Sequence, residues 1–181
     1  MMKAMCNFSF ASPQETLVAG AMRPGYPNKK NIGEDEIQDW IDTMQRNGVQ
    51  GVVCLLPKNQ LDYYAVDLLA AYREAFGEDM VCWAPVEDYY LVKEDTLNGV
   101  ILPFLDEAVN LGIRVVVHCS AGSGRTGLVL AAWLVHRYDL SPQEALRTVE
   151  NSGRHPREAI IQGNAAEAEL ISLLESARKK E

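Results

Sequence analysis

The chain reads as an α/β fold with a parallel-rich central sheet flanked by helices. Two observations predict it: strand-like apolar runs alternate with helically spaced apolar residues, and the run at 113–117 passes through a glycine-rich loop into an apolar helix. Leu17 to Met22 is the first strand. Ile37, Trp40, Ile41 and Met44 then recur at helical spacing, and Val49 to Leu56 is strand-like again. Leu61, Ala65, Leu68, Leu69, Tyr72 and Phe76 mark one helix, followed by a strand over Met80 to Val86. Leu97, Ile101, Phe104, Leu105 and Ala108 mark the next, with Asp95 as its N-cap. Ile113, Val115, Val116 and Val117 form a buried strand, and the run from Leu128 to Val135 is the helix that leaves its loop. Ser141-Pro142-Gln143-Glu144 has the cap, N1 proline and N3 glutamate of a helix start, and a last helix spans about Arg157 to Ala177. Ser12-Pro13-Gln14-Glu15 repeats the same four letters in different surroundings, so no duplication follows.

With 181 residues and 48% hydrophobic content, residues 1–181 are expected to form a single domain around one core. No apolar run is long enough to span a bilayer, and the opening Met1-Met2-Lys3-Ala4-Met5-Cys6-Asn7-Phe8 lacks the apolar core of a secretion signal. Cys6, Cys54, Cys82 and Cys119 are irregularly spaced, which fits a reducing compartment, hence a cytoplasmic protein. Cys54 and Cys82 lie in apolar runs and read as buried structural thiols, with a transient disulfide to Cys119 left open. Seventeen basic and 25 acidic residues give a net charge of −8, which argues against broad binding to nucleic acid or anionic membranes. Oligomeric state is not legible.

The chemistry concentrates in the run His118-Cys119-Ser120-Ala121-Gly122-Ser123-Gly124-Arg125-Thr126-Gly127. Its glycines allow tight turns that aim successive N–H groups at an anion, and the helix that follows adds the positive end of its dipole. Arg125 supplies a planar fork for two phosphate oxygens. The same field would stabilise a thiolate at Cys119, whose free pKa is about 8.5. Five residues between Cys119 and Arg125 let the backbone circle a tetrahedral anion, with Ser120, Ala121, Gly122, Ser123 and Gly124 as its cradle. Thr126 would place a hydroxyl near the sulfur if the helix begins there, and His118 would orient the loop backbone.

This segment resembles the His-Cys-five-residues-Arg-Thr signature of the cysteine-dependent protein tyrosine phosphatase superfamily, in its compact dual-specificity branch. The resemblance implies a general acid about thirty residues upstream on a loop, and Pro85-Val86-Glu87-Asp88-Tyr89 supplies Asp88, 31 positions before Cys119. Glu87 and Asp95 stay open as alternatives on the acid loop, about 85–95. The implied reaction is hydrolysis of phosphotyrosine, or of phosphoserine and phosphothreonine, in a protein substrate through a cysteinyl-phosphate, with no metal or cofactor. Gln162 resembles the polar residue that some members place near the attacking water, and Arg154-His155-Pro156-Arg157 could supply a basic rim, as could Arg23, Lys29 and Lys30 in the connecting segment 23–33. His136, on the apolar helix, reads as a packed or surface histidine.

Gly122-x-Gly124-x-x-Gly127 also satisfies the dinucleotide-binding fingerprint, but it lies late in the chain and lacks an acidic residue about twenty positions on. The Lys-Ser/Thr ending of an ATP-type phosphate loop is absent, and no second Cys or His cluster completes a metal site. A phosphoinositide or RNA 5′-phosphatase would use the same loop, though with no lysine between Cys119 and Arg125 to meet a highly anionic substrate. A sulfur-transfer enzyme would not need Asp88. A non-catalytic phosphate-binding module would lack the nucleophile or the acid.

Overall fold

The computed structural model describes residues 5–179. The opening segment read for a secretion signal therefore lies partly outside the described residues. Five strands form one sheet in the order β1-β2-β5-β3-β4, comprising β1 (Ser9–Phe10), β2 (Val18–Met22), β3 (Val49–Cys54), β4 (Val81–Trp83) and β5 (Arg114–Cys119). Only β1 runs antiparallel to its neighbour. The parallel-rich sheet expected from the alternation is present, with β1 a two-residue edge too short to carry a periodic signal.

Both faces of the sheet are covered, which is why its strands are apolar at nearly every position. Val115, Val117 and Cys119 of β5 face one core cluster and Val116 the other. The second cluster is completed by α1 (Glu34–Arg46), through Ile37, Trp40, Ile41 and Met44, and by α3 (Leu68–Phe76). On the opposite face lies α6 (Gly124–Tyr138), buried continuously from Gly124 to Val135. A helix apolar all round belongs inside a domain, and α5 (Leu102–Asn110), α7 (Pro142–Asn151) and α9 (Glu167–Ser176) pack around it.

Three expected elements differ from those observed. The helix expected over 61–76 is two, α2 (Lys58–Leu61) and α3, because the intervening chain pairs with another segment. There Ile32 donates to the Tyr63 carbonyl at 3.0 Å and Ala65 to the Ile32 carbonyl at 2.9 Å, and Asp67 caps α3 by accepting from the Ala70 N–H. The helix expected over 157–177 is also two, α8 (Glu158–Ile161) and α9, separated by a reversal at Gly163 with φ +78°. Asp95 is not a cap. Lys93 holds that position, and Asp95 sits inside α4 (Glu94–Thr96), which leads through one π-helical stretch into α5. The two Ser-Pro-Gln-Glu runs part company: Ser141 and Glu144 form a capping box on α7, whereas Glu15 is buried, accepting from the N–H groups of Thr16 and Leu17 and from Trp133 and Tyr138.

β4 is a ladder only to Trp83, yet the chain beyond it keeps hydrogen bonding along β3: Ala84 donates to Cys54 and Val86 to Leu55, each at 3.0 Å. That continuation carries segment 84–93 past the carboxyl ends of the parallel strands, where β5 delivers its loop. In open α/β sheets this is the edge where ligands bind.

Candidate active site

β5 ends at Cys119, and α6 begins at Gly124, two residues before Thr126. Between them the loop carbonyls are tied outward. Ser120 O accepts from the Arg23 N–H at 3.0 Å, Ala121 O from Asn7 at 3.0 Å, Gly122 O from the Arg154 guanidinium and Ser123 O from Gly127 at 2.9 Å. With these oxygens occupied, the N–H groups of 120–124 and the α6 N-terminus are what the loop offers to an anion. Gly122 makes the tightest turn, at φ +67°, and a Cβ there would fall 2.5 Å from the Ala21 carbonyl carbon. Only glycine fits.

Two buried arginines hold this loop from below. Arg23 also donates through Nε to Ser120 Oγ at 3.0 Å and stacks against the rings of Tyr26 and Tyr63. Arg154 reaches Gly20 O, Ser9 Oγ and Asn7 O as well. Neither is a rim cation. Arg157 is likewise engaged, by Glu150 and Glu167, so the expected basic rim reduces to Lys29, which lines the cavity.

His118 is fully buried among Trp40 and Tyr72. Its Nδ1 lies 3.1 Å from the Cys119 carbonyl and its Nε2 3.0 Å from the Tyr72 hydroxyl. The carbonyl can only accept, so Nδ1 carries the hydrogen and Nε2 accepts from Tyr72. Burial, assisted by the charges of Arg125 and Arg23, pushes its pKa down to about 4, leaving the ring neutral at pH 7. Between pH 6.5 and 4 the unfolded chain takes up a proton that the folded protein refuses. Stability is therefore lost as pH falls through that window, by up to about 3 kcal/mol. Urea unfolding at a series of pH values should show this loss in the parent and a shallower dependence in His118→Asn; equal slopes would remove His118 as the cause.

Arg125, nearly inaccessible, is engaged from three sides. It pairs with Asp88 at 3.1 Å and donates to the Val86 carbonyl at 2.9 Å and to Gln60 Oε1 at 3.1 Å. Gln60 in turn donates to the other Asp88 oxygen at 3.0 Å. The segment carrying Asp88 is thus latched to Arg125. Its next residue, Tyr89, adopts φ +65°, a sparsely populated conformation, and its carbonyl accepts from Asn164.

Cys119, Ser120, Ala121, Gly124, Arg125 and Asp88 line one cavity of about 130 Å³, walled by Tyr26, Tyr63 and Tyr89. Pockets that bury drug-sized ligands run to roughly 300–1,000 Å³, so this one suits a phosphoryl group better than a whole dinucleotide. A larger cavity, about 760 Å³, opens between α5 and the end of α9, away from the loop. Of the sequence candidates, Glu87, Asp95 and Gln162 do not line the loop cavity. Gln162 ends α8 facing solvent because that helix lasts a single turn, and its cavity-facing residue is Glu158. Thr126 is buried in the first turn of α6, its Oγ1 without a hydrogen-bond partner among the described residues. Gln60 and Glu158 were not legible as site residues, since each depends on where a short helix docks.

Cys54 and Cys82 are free thiols. Burial pushes them up to about 12 and about 11, so neither is a thiolate at neutral pH.

A family model described as "Polymorphic toxin system, DSP-PTPase phosphatase" matches residues 27–139. Dual specificity protein phosphatase 2 of Mus musculus is 33% identical over 66 residues, covering 36% of this chain and 21% of that protein. The chain therefore matches about a fifth of that relative's length. Among solved structures, Tk-PTP in its active form superposes with a TM-score of 0.67 at 24% identity, covering 97% of this chain and 98% of that one. PTPMT1 in complex with PI(5)P gives 0.66 at 15% identity over 94% and 96%. At these identities the superpositions establish a shared fold.

Proposed function

This chain belongs to the DSP-PTPase phosphatase family of polymorphic toxin systems, and on that premise we propose that it is a protein phosphatase acting on phosphotyrosine through a cysteinyl-phosphate, with phosphoserine and phosphothreonine as secondary substrates. One observation carries the reading: Cys119 and Arg125 of the glycine-rich loop and Asp88 of the segment past β4, two separate stretches of chain, line a single small cavity at the carboxyl ends of the strands. In the first step the Cys119 thiolate attacks phosphorus, the bond to the substrate oxygen breaks, and Asp88 gives that oxygen a proton. In the second, Asp88 takes a proton from water, which attacks phosphorus and releases the thiolate and inorganic phosphate. Arg125 and the loop N–H groups hold the equatorial oxygens throughout. Thr126, with its free buried hydroxyl, donates to the sulfur as it leaves.

The ion pair between Arg125 and Asp88 gives binding and acid catalysis a common trigger. An incoming phosphoryl group competes for the Arg125 fork, and as the fork turns to phosphate the Asp88 carboxylate is released to take up a proton from solvent, which it then carries to the leaving oxygen. Tyrosine walls favour an aryl group that can stack against them. Free thiols at Cys6, Cys54, Cys82 and Cys119 suit action in a reducing compartment such as the cytoplasm. No helix among the described residues is long and apolar enough to cross a membrane.

Turnover of phosphotyrosyl and phosphoseryl peptides, a phosphoinositide and an RNA 5′-phosphate, each with a Cys119→Ser control, tests the proposal. Phosphotyrosine should be preferred, and activity confined to the phosphoinositide or the RNA would overturn it. Asp88→Asn should lower kcat about 10²-fold or more. The loss should be larger for an alkyl or phenyl leaving group than for nitrophenolate, which departs without a proton. Equal losses on both would mean that Asp88 is not the acid.

A further inference from the structure

Glu158, the first residue of α8, has no part in the mechanism above, yet its side chain reaches the same cavity as Cys119, Arg125 and Asp88. One carboxylate oxygen occupies the space that a side chain on Gly124 would take, 2.0 Å from an ideal Cβ there. Gly124 opens α6, so this carboxylate lies against the helix end that would hold the anion. It makes no hydrogen bond or ion pair among the described residues. Burial, followed by the neighbouring Asp88 charge, raises its pKa, with Arg125 and His155 opposing. The charges on the cavity wall are then two carboxylates, Asp88 and Glu158, against Arg125 and Lys29.

We propose that Glu158 is a specificity-determining residue, which turns the pocket against substrates bearing a second anionic group beside the scissile phosphate and selects phosphotyrosine flanked by neutral or basic residues. The inference rests on the phosphatase reading and names its substrate more narrowly. The scissile phosphoryl group takes Arg125 and the loop N–H groups for itself. A second phosphate or carboxylate then meets Glu158 in a partly desolvated mouth, where like charges repel more strongly than in water. Of the cations lining the cavity, exposed Lys29 is left to offset it. Discrimination here arises from a repulsive element placed against the wrong substrate. A polyphosphoinositide is the substrate most strongly disfavoured.

The test compares the full chain with Glu158→Gln and Glu158→Lys on two phosphotyrosyl peptides that differ only in lysine or glutamate flanks. The parent should prefer the lysine-flanked peptide by on the order of tenfold in kcat/KM. Glu158→Gln should bring the ratio near one, and Glu158→Lys should reverse it. A ratio unchanged in both variants, or a loss shared equally by both peptides, overturns the proposal. Binding keeps this result separate from turnover: in a Cys119→Ser background, Glu158→Gln should tighten pyrophosphate more than inorganic phosphate. An unchanged ratio of the two Kd values overturns the role of Glu158. Phosphate binding by a parent chain that hydrolyses no ester would instead overturn the phosphatase reading.

Discussion

Cys119→Ser should abolish turnover of an aryl phosphate, by about 10⁴-fold or more, while phosphate still binds. Removing the nucleophile of a covalent mechanism is among the costliest single changes an enzyme can suffer, because a serine hydroxyl without an adjacent base does not attack phosphorus at neutral pH. His118 cannot serve as that base, since it is buried with both ring nitrogens committed to the Cys119 carbonyl and Tyr72. Phosphate affinity should hold. The proposed ligands of the anion are backbone N–H groups and Arg125, which the substitution leaves alone. Rapid-quench mass spectrometry should detect a phosphorylated enzyme in the parent and none in the variant. Retained turnover in Cys119→Ser would dispose of the covalent route.

Arg125→Lys should lower kcat/KM by on the order of 10²- to 10³-fold despite keeping the charge. The guanidinium bonds the Val86 carbonyl, Gln60 and Asp88 at once, which needs several donors in a plane. An ammonium cannot span them. The variant loses the bidentate grip on phosphate and also releases the acid loop, so its kcat and its phosphate affinity should both fall. An effect on KM alone would show that Arg125 only binds, and a loss below tenfold would remove it from the mechanism.

The signature loop was legible in the sequence because its geometry is local. Five residues between Cys119 and Arg125, glycines at the tight turns and an apolar helix directly after form the local pattern that reads as an anion cradle. Asp88 was read as the acid from its distance from Cys119, and of the three carboxylates on that segment it is the one that lines the loop cavity. Gln162, read as lying near the attacking water, faces solvent at the end of α8 while Glu158 lines the cavity, because the periodicity over 157–177 does not reveal the break at Gly163. Arg154 looked like surface charge by residue type. In the fold it is buried, and its donors hold the Gly122 carbonyl, two other backbone oxygens and a serine hydroxyl.

By itself the sequence determined the alternation of strands and helices and the parallel-rich sheet, and it carried the local pattern of a phosphate-binding loop, since each is encoded in near neighbours along the chain. Tertiary structure alone decided how the acid loop is latched through Gln60, that the basic segments brace the loop from beneath, and that a carboxylate from α8 stands at the pocket mouth. These depend on contacts across 28 to 147 residues. Side chains that distant meet only through the packing of both sheet faces, which local periodicity does not encode.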